Sequence, residues 1–189
     1  SGDFSEVKGI TYRNNRNEFI YTEPRPLIPD MDSIPYPAYH LIDLDIYSEN
    51  YQLVNSKEAQ DARRKLHIVT ERGCPRQCTF CTHNGLSRWD QYVAVGKDKV
   101  REMDDEFGFQ QIARFNSPKY VVDHMKFLHD KYDVDYIFIA DENLTTNKKR
   151  THELCDQIIK TGLVNELKWG TSGDTATATD DIVEHLKEA

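Results

Sequence analysis

The sequence lacks a long apolar run, and this absence is the first constraint on what the chain can be. It has 189 residues, of which 38% are hydrophobic and 30% are charged. No run approaches the ~20 apolar residues that cross a bilayer as a helix, so we expect no membrane partner. The first residues, Ser1 to Glu6, also lack the basic and then apolar pattern of a secretion signal. The sequence therefore predicts a polar globular protein in the cytoplasm.

An excess of positive charge is also missing. The chain has 24 lysine and arginine residues against 32 aspartate and glutamate residues, which gives a net charge of -8. Domains that follow a phosphate backbone are usually basic or carry clustered basic residues. Here the basic residues are scattered, apart from short runs at 63–65 and 148–150. We therefore expect no nucleic-acid partner.

Cysteine is scarce and unevenly placed. Three of the four cysteines follow the pattern Cys74-x3-Cys78-x2-Cys81, and no fourth cysteine is near them. In a chain of cytosolic type, such clustering favours metal binding over disulfides. Three thiolates can hold three irons of a [4Fe–4S] cluster and leave the last iron open, whereas clusters that only carry electrons normally have four thiolates. The spacing therefore predicts a cluster with a reactive iron.

The remaining metal-binding side chains leave one alternative open. His83 follows Cys81 closely, and with the three cysteines it would complete a zinc site of three sulfur ligands and one nitrogen ligand. One short loop would then have to supply all four ligands, whereas structural zinc sites usually combine two distant pairs. Cys155 shares one stripe of a predicted helix with Leu154 and Ile158, so we expect it to be a small buried hydrophobe.

The chain before the cysteines divides into two predicted segments. Residues 1–23 contain two short β-type runs around an asparagine-rich turn, which predicts a hairpin. Five of the seven prolines lie between Pro24 and Pro37. Because proline disfavours helix, residues 24–65 are expected to be an extended linker that docks through apolar side chains such as Tyr36.

Residues 66–189 show a strand, helix, strand, helix, strand, helix order, which predicts a parallel sheet covered by helices. Ser117, Asn147 and Thr179 are the predicted N-caps of the three helices. The predicted fold class is α/β, a partial TIM-like barrel of the first three βα units, preceded by the hairpin and the proline-rich linker. An eight-fold barrel needs ~250 residues, so we expect a fragment of a longer protein. The long charged connection at 82–116 is expected to be a lid or an insertion.

Two carboxylates, Asp141 and Glu142, follow the second predicted strand. The carboxyl ends of parallel strands meet at one face of such a fold, so these acids are expected beside the cysteine loop that follows the first strand. The alternative is that they only cap the next helix. Residues from Trp169 to Asp174, at the third strand, are expected to face the same way.

The cysteine spacing, with Phe80 directly before Cys81 and Thr70-Glu71-Arg72-Gly73 in front, closely resembles the radical S-adenosylmethionine (SAM) superfamily. The hairpin, the linker at 24–38, the cysteine loop and Phe138-Ile139-Ala140-Asp141-Glu142-Asn143 appear in the order found in its cobalamin-dependent subgroup. This resemblance covers most of the chain except residues 48–65 and 84–110. In that subgroup the linker joins a cobalamin-binding domain to the radical SAM barrel, so 1–23 is expected to be the end of a missing cobalamin-binding domain.

The resemblance implies a set of cofactors and roles. Cys74, Cys78 and Cys81 would hold a [4Fe–4S] cluster whose open iron binds SAM, Phe80 would lie toward the adenine, and Asp141 and Glu142 would bind the SAM amine. Reductive cleavage of SAM would give a 5′-deoxyadenosyl radical, with flavodoxin or ferredoxin as the external reductant. The expected use is cobalamin-dependent methylation or rearrangement of a small-molecule or peptide substrate. No Asp-x-His-x-x-Gly cobalamin motif is present in the sequence, so cobalamin is implied only for a longer parent.

Two other functions are kept as alternatives. A methylthiotransferase-like radical SAM enzyme would modify transfer RNA, and the acidity of the chain weighs against it. A non-catalytic zinc or iron–sulfur binding module would need only the cysteines. The arginine that often follows a similar tryptophan in the superfamily is absent after Trp169, where Gly173 and Asp174 stand. No catalytic residue is assigned, and the fragment alone is expected to be inactive.

Overall fold

The computed structural model describes residues 3–23, 25, 28–51, 56–74, 80–81 and 113–189. The chain divides into two compact units, one made of 1–29 and 73–113 and the other of 30–72 and 114–189. Of the predicted site residues, Cys78 and His83 lie outside the described residues, and so does most of the predicted connection at 82–116.

The strands in the described part of the chain are β1 Thr11–Arg13, β2 Phe19–Tyr21, β3 Lys65–Ile68, β4 Glu71–Arg72, β5 Arg114–Phe115, β6 Tyr136–Ile139 and β7 Lys168–Thr171. The α-helices there are α1 Leu44–Glu49, α2 Lys57–Asp61, α3 Pro118–Tyr132, α4 Lys148–Thr161 and α5 Asp180–Glu188. Short 3-10 turns lie at Met31–Ser33, Tyr39–Leu41, Leu144–Thr146 and Leu163–Asn165. None of the helices in these described segments combines the length and apolar character that a membrane crossing requires.

The first unit contains the predicted hairpin. Strands β1 and β2 pair antiparallel, with Thr11 opposite Tyr21. The turn is organised by Asn14, whose side-chain oxygen accepts hydrogen bonds from the backbone N–H groups of Arg16 and Glu18. Asn17 adopts a left-handed backbone with φ 63, a conformation that asparagine tolerates well. The hairpin prediction is confirmed.

The second unit is built on a parallel sheet in the order β3-β6-β7. Leu66 pairs with Ile137, and Ile137 pairs with Trp169. Strand β6 lies in the centre, and the adjacent residues Tyr136 and Ile137, whose side chains point to opposite faces, are both buried, as expected of a strand with a covered surface on each side. The mixed α/β class with parallel strands and following helices is therefore confirmed, and it is consistent with part of an α/β barrel.

Local signals at the helix ends explain where the two longest helices begin and stop. The Ser117 hydroxyl accepts from the N–H of Tyr120, and Pro118 opens α3. The Asn147 side chain accepts from the N–H of Arg150 at the start of α4, and Gly162 ends that helix with φ 77. Both predicted starts are confirmed. Thr179 occupies the N-cap position of α5, as predicted, but its hydroxyl donates to the Asp181 carboxylate and accepts no hydrogen bond from the first backbone N–H groups of the helix.

Cys155 is fully buried in α4, as predicted, and belongs to the apolar core between the sheet and the helices. Burial raises the pKa of its thiol to about 11. A buried thiol that stays protonated is a poor metal ligand, because thiolates are the ligating form. Cys155 is therefore a packing residue.

The predicted linker contains more structure than expected. Tyr36 stacks on His124 of α3 with ring centroids 4.1 Å apart, which confirms that this segment docks. The helices α1 and α2 interrupt the segment after the prolines and were not predicted. They are six and five residues long and are started by the side chains of Asp43 and Ser56, so they are too short for a periodic sequence pattern to reveal.

A second difference concerns the segment that carries the cysteines. Strands β4 and β5 pair antiparallel, with Glu71 opposite Phe115 and Arg72 opposite Arg114. The N–H of Asn116 donates to the carbonyl of Thr70 at 2.9 Å. The end of the connection predicted at 82–116 is therefore paired with the strand that precedes the cysteines. Residues 73–113, which separate β4 from β5 and belong to the first unit, are called the excursion below.

Candidate functional site

The polar residues after β3 and β6 meet because these parallel strands end in register. Ile68 pairs with Ile139, and the N–H of Ala140 donates to the carbonyl of Ile68 at 2.8 Å. The chain then places Thr70 beside Asp141. The residues that follow these two strands therefore lie at one edge of the sheet within the second unit, as predicted.

Asp141 accepts every hydrogen bond that the structure gives to its side chain. The N–H groups of Thr70 and Glu71 donate to Oδ1 at 2.5 and 3.2 Å, and the Thr70 hydroxyl donates to Oδ2. Burial raises the pKa of Asp141, while the hydrogen bonds from Thr70 and the charge of Arg150 act in the opposite direction. A side chain that only accepts is the ionised form. Asp141 does not cap the next helix, since Asn147 has that role.

Arg150 lies beneath this carboxylate and is almost completely buried. Its Nε donates to the carbonyl of Asn116 at 3.0 Å, and its Nη2 donates to the hydroxyl and the carbonyl of Thr70 at 2.7 and 3.2 Å. Its Nη1 lies 3.9 Å from Asp141 Oδ2. Burial lowers the pKa of Arg150, and the nearby carboxylates oppose that shift. One guanidinium therefore ties together Thr70, before the cysteines, and Asn116, after the excursion.

Glu71 is a second buried carboxyl group at this edge. Its Oε1 accepts from the N–H of Asn143 at 2.9 Å. Burial, followed by the negative charge of Asp141, raises the pKa of Glu71 from 4.5 to about 7. Glu71 can therefore hold or release a proton near neutral pH.

The loops after β6 and β7 are joined through Asn143. Its side-chain oxygen accepts from the N–H of Asp174 at 3.1 Å and from the hydroxyls of Thr145 and Thr177 at 2.8 and 3.3 Å. The prediction that the loop at Asp174 faces the same way is confirmed. Trp169, however, lies within β7, and its indole N–H donates to the carbonyl of Ala189.

The predicted cofactor residues Cys74, Phe80 and Cys81 belong to the first unit. Cys74 and Cys81 are half-buried and are not joined in a disulfide within the described part of the chain, and Gly73 has a left-handed backbone with φ 87, which suits the predicted turn. The Phe80 side chain is 88% exposed. Two accessible thiols that are not joined in a disulfide fit the donor set of an iron–sulfur cluster.

No group of three or more histidine, cysteine, aspartate or glutamate side chains is arranged to hold a metal ion within the ranges described above. The predicted trio requires Cys78, which lies outside those ranges. The three-cysteine ligand set therefore stays a prediction, and so does the zinc alternative with His83.

Sequence reasoning missed several residues of the buried network: Thr70, Glu71, Asn116, Asn143 and Arg150. In the sequence, Arg150 was noted only as part of a short basic run at 148–150. Its helical spacing offered a better signal, because Arg150 lies four and eight residues before Leu154 and Ile158, which both face the core. A cation at the start of such an apolar stripe indicates a buried partner.

Comparison with known proteins gives relatives along most of the chain. An uncharacterized methyltransferase of Pyrococcus horikoshii is 27% identical over 96% of this chain and 32% of its own length. The cytidylyl-2-hydroxyethylphosphonate methyltransferase of Streptomyces wedmorensis is 30% identical over 90% of this chain and 30% of its own length. The anaerobic magnesium-protoporphyrin IX monomethyl ester cyclase of Synechocystis is 26% identical over 99% of this chain and 30% of its own length.

These methyltransferases and cyclases are of the radical SAM, cobalamin-type families. This chain is their homologue. The resemblance drawn from the cysteine loop, the linker and the second strand is confirmed. The chain spans about a third of the length of these curated relatives. No protein-family model matches it, and no solved structure matches it.

Proposed function

We propose that the chain is part of a radical SAM enzyme and carries the residues that bind its iron–sulfur cluster. The observation that supports this most directly is the pattern Cys74-x3-Cys78-x2-Cys81, in a chain homologous over most of its length to radical SAM, cobalamin-type enzymes. Cys74, Cys78 and Cys81 hold a [4Fe–4S] cluster and leave one iron for SAM. When bound, the cluster would supply the electron for reductive cleavage of a carbon–sulfur bond of SAM, with methionine as the product that carries the sulfur.

The residues of this chain that follow the cysteines and β6 bind SAM or position the groups that bind it. Phe80 offers an exposed aromatic face, which suits stacking against adenine. Asp141 and Glu142 were both predicted to bind the SAM ammonium, and the structure favours different roles for them. The Asp141 oxygens are already occupied by Thr70, Glu71 and the neighbouring Arg150. Glu142 is exposed, so we assign it the direct charge-assisted contact and assign Asp141 a positioning role.

The buried network fixes the chain that leads to the cysteines. Thr70 and Glu71 precede Cys74 by four and three residues, and both are buried and bonded to Asp141. Arg150 holds Thr70 and Asn116 together at the base of the excursion. Because these side chains are already held by hydrogen bonds, little further conformational entropy is lost when the segment that they hold positions a reactive group.

The reaction proposed for the longer parent is cobalamin-dependent methylation of a small-molecule or peptide substrate. The relatives include two methyltransferases and a cyclase, so a rearrangement is the second candidate. Flavodoxin or ferredoxin is the proposed electron donor. In that parent, residues 1–23 would end a cobalamin-binding domain, 24–65 would be the linker, and 66–189 would begin the radical SAM barrel.

Anaerobic reconstitution tests this proposal. The protein should take up about four irons with matching sulfide, and its reduced electron paramagnetic resonance (EPR) spectrum should change when SAM is added. Cys74→Ala, Cys78→Ala or Cys81→Ala should each abolish that response. Cys155→Ala is the matched control and should keep it, because Cys155 packs in the core. Preferential uptake of zinc, or a spectrum that ignores SAM, would contradict the proposal.

A further inference from the structure

One buried amide group joins the loop after β6, residues 140–147, to the loop after β7, residues 172–179. The Asn143 side chain is buried, and its Oδ1 accepts from the backbone N–H of Asp174, 31 residues away, at 3.1 Å. The Thr145 hydroxyl donates to the same oxygen at 2.8 Å. Thr177 Oγ1 lies 2.7 Å from Thr145 Oγ1 and 3.3 Å from Asn143 Oδ1. We call these four residues the loop junction.

The two loops also lie in close contact, because a glycine stands where the second loop approaches the first. A Cβ atom on Gly173 would come within 3.1 Å of the Cγ2 and Oγ1 atoms of Thr145, which is closer than side chains normally pack. Next along the chain, the carbonyl of Asp174 accepts from the N–H groups of Thr177 and Ala178, both at 2.9 Å. The second loop is therefore a closed turn held against the first loop.

Glu142, the residue assigned to the SAM ammonium, lies between two anchored neighbours. Asp141 accepts from the N–H groups of Thr70 and Glu71. The N–H of Asn143 donates to Glu71 Oε1 at 2.9 Å. Because Asp141 and Asn143 are buried while Glu142 is exposed, the backbone on each side of Glu142 is fixed. The position of the Glu142 carboxylate therefore depends on Asn143 and, through the loop junction, on the second loop.

The chemistry of the amide suits this joining role. A carboxylate at position 143 could also accept from the surrounding donors, but it would add a third buried acid to Asp141 and Glu71. The amide accepts without that charge, although Nδ2 has no hydrogen-bond partner in the part of the chain that the structure describes. An unpaired buried donor lowers stability, and departures of this kind are expected at functional sites.

We propose that Asn143 is a positioning residue for SAM binding, which holds Glu142 in place and makes its position depend on the loop at 172–179. This inference rests on the proposed function, because it takes Glu142 as the residue that contacts the SAM ammonium. Coupling between two sites is reciprocal. Loosening the second loop should therefore weaken SAM binding, and SAM binding should reduce the motion of the second loop.

Substitutions at the loop junction test the first consequence in the reconstituted full-length protein. Thr177→Val removes a hydroxyl and should weaken SAM binding about three- to tenfold, the equivalent of one hydrogen bond. Thr177→Ser keeps the hydroxyl and should restore most of the affinity. Gly173→Ala should also weaken binding, because its Cβ forces the loops apart. Thr161→Val, whose hydroxyl donates only within α4, is the matched control and should bind SAM like the unchanged protein.

A double-mutant cycle separates positioning from a general loss of stability. If Thr177 acts through Glu142, then Thr177→Val should have little effect on SAM affinity in the Glu142→Gln background. Far-UV circular dichroism should show that each variant is folded. The proposal is overturned if the two substitutions weaken binding independently, or if Thr177→Val alone leaves the affinity unchanged. Failure of the proposed function looks different, because Glu142→Gln itself would then leave the affinity unchanged or the unchanged protein would bind no SAM.

Hydrogen exchange measured by mass spectrometry tests the second consequence without relying on affinity. At saturating SAM, the amides at 172–179 should exchange more slowly in the unchanged protein than without SAM. In Thr177→Val, also at saturating SAM, this slowing should be smaller or absent. Equal exchange of these amides with and without SAM in the unchanged protein would show that the second loop does not respond to SAM, and it would overturn the proposal.

Discussion

Arg150 and Thr70 form the central contact of the buried network, with Nη2 of the guanidinium 2.7 Å from the Thr70 hydroxyl oxygen. That hydroxyl donates in turn to the carboxylate of Asp141. A positive and a negative side chain, both almost completely buried, are therefore linked through one hydroxyl group. Because Thr70 leads into the cysteine segment and Asn116 leaves it, this link also decides how firmly the ends of that segment are held.

Replacing Arg150 should destabilise the chain strongly. Arg150→Met keeps an unbranched apolar side chain but leaves the Asp141 carboxylate buried without a neighbouring positive charge, and breaking a buried ion pair in this way typically costs about 3–5 kcal/mol. Urea unfolding of the cluster-free chain measures the change. Lys149→Met, one residue away and 87% exposed, is the matched control and should change the unfolding midpoint little. A loss below about 1 kcal/mol for Arg150→Met would show that Asp141 does not depend on the guanidinium.

The hydroxyl group of Thr70 should contribute more to the stability of the chain than the shape of the side chain does. Thr70→Val keeps the volume and leaves one donor of Arg150 and one acceptor of Asp141 unpaired, which should cost about 1–3 kcal/mol. Thr70→Ser keeps the hydroxyl and loses only a methyl group, so its loss of stability should be smaller. The comparison again uses urea unfolding. If Thr70→Ser is less stable than Thr70→Val, then packing of the methyl group, and not the hydrogen bonds of the hydroxyl group, determines what Thr70 contributes to stability.

Glu71 should give the chain a specific pH dependence. Its pKa is raised from 4.5 to about 7 in the folded chain, by burial and then by Asp141. A carboxyl group that holds its proton more tightly when folded stabilises the folded state at low pH, and this contribution is lost as the pH rises from about 4.5 to 7. At ~1.4 kcal/mol per pH unit, the loss amounts to roughly 3 kcal/mol at most.

Glu71→Gln tests this by keeping the shape and an acceptor oxygen for Asn143 while removing the titration. The variant should match the unchanged chain in stability near pH 4.5 and exceed it progressively up to pH 7. Above pH 7 the difference should stay constant. Unfolding free energies at several pH values measure it, and a difference that does not vary between pH 4.5 and 7 would contradict the raised pKa.

The sequence predicted those parts of the fold whose causes are local. Ser117 with Pro118 starts α3, and Gly162 ends α4, because capping depends on a few adjacent residues. The central strand, Tyr136–Ile139, is a continuous run of apolar and aromatic residues, which is itself a local signal for a buried strand. In each case the residues that decide the structure are neighbours in the chain.

The network at the strand ends depends on residues that are far apart in sequence. Arg150 contacts Thr70 across 80 residues and Asn116 across 34, and no local pattern records such a pairing. Strands β4 and β5 are two residues long, which is too short for any alternation to show. Asp141 was recognised as a site residue, but the number of donors surrounding it depends on the register of β3 and β6.

The two neighbouring acids after β6 should respond differently to the same kind of substitution. Asp141→Asn places an amide N–H group among buried groups that already donate hydrogen bonds. The variant should be less stable, because a buried donor without an acceptor lowers the free energy of unfolding. Glu142→Gln changes an exposed side chain and should leave the fold intact. In the reconstituted full-length protein it should weaken SAM binding about tenfold, since a hydrogen bond to a charged group contributes roughly 1.5–3 kcal/mol.

Glu153→Gln, on the exposed surface of α4, serves as the control for loss of one negative charge. SAM affinity is read from the spectral titration of the cluster, and an unchanged affinity in Glu142→Gln would remove Glu142 from the proposed SAM site.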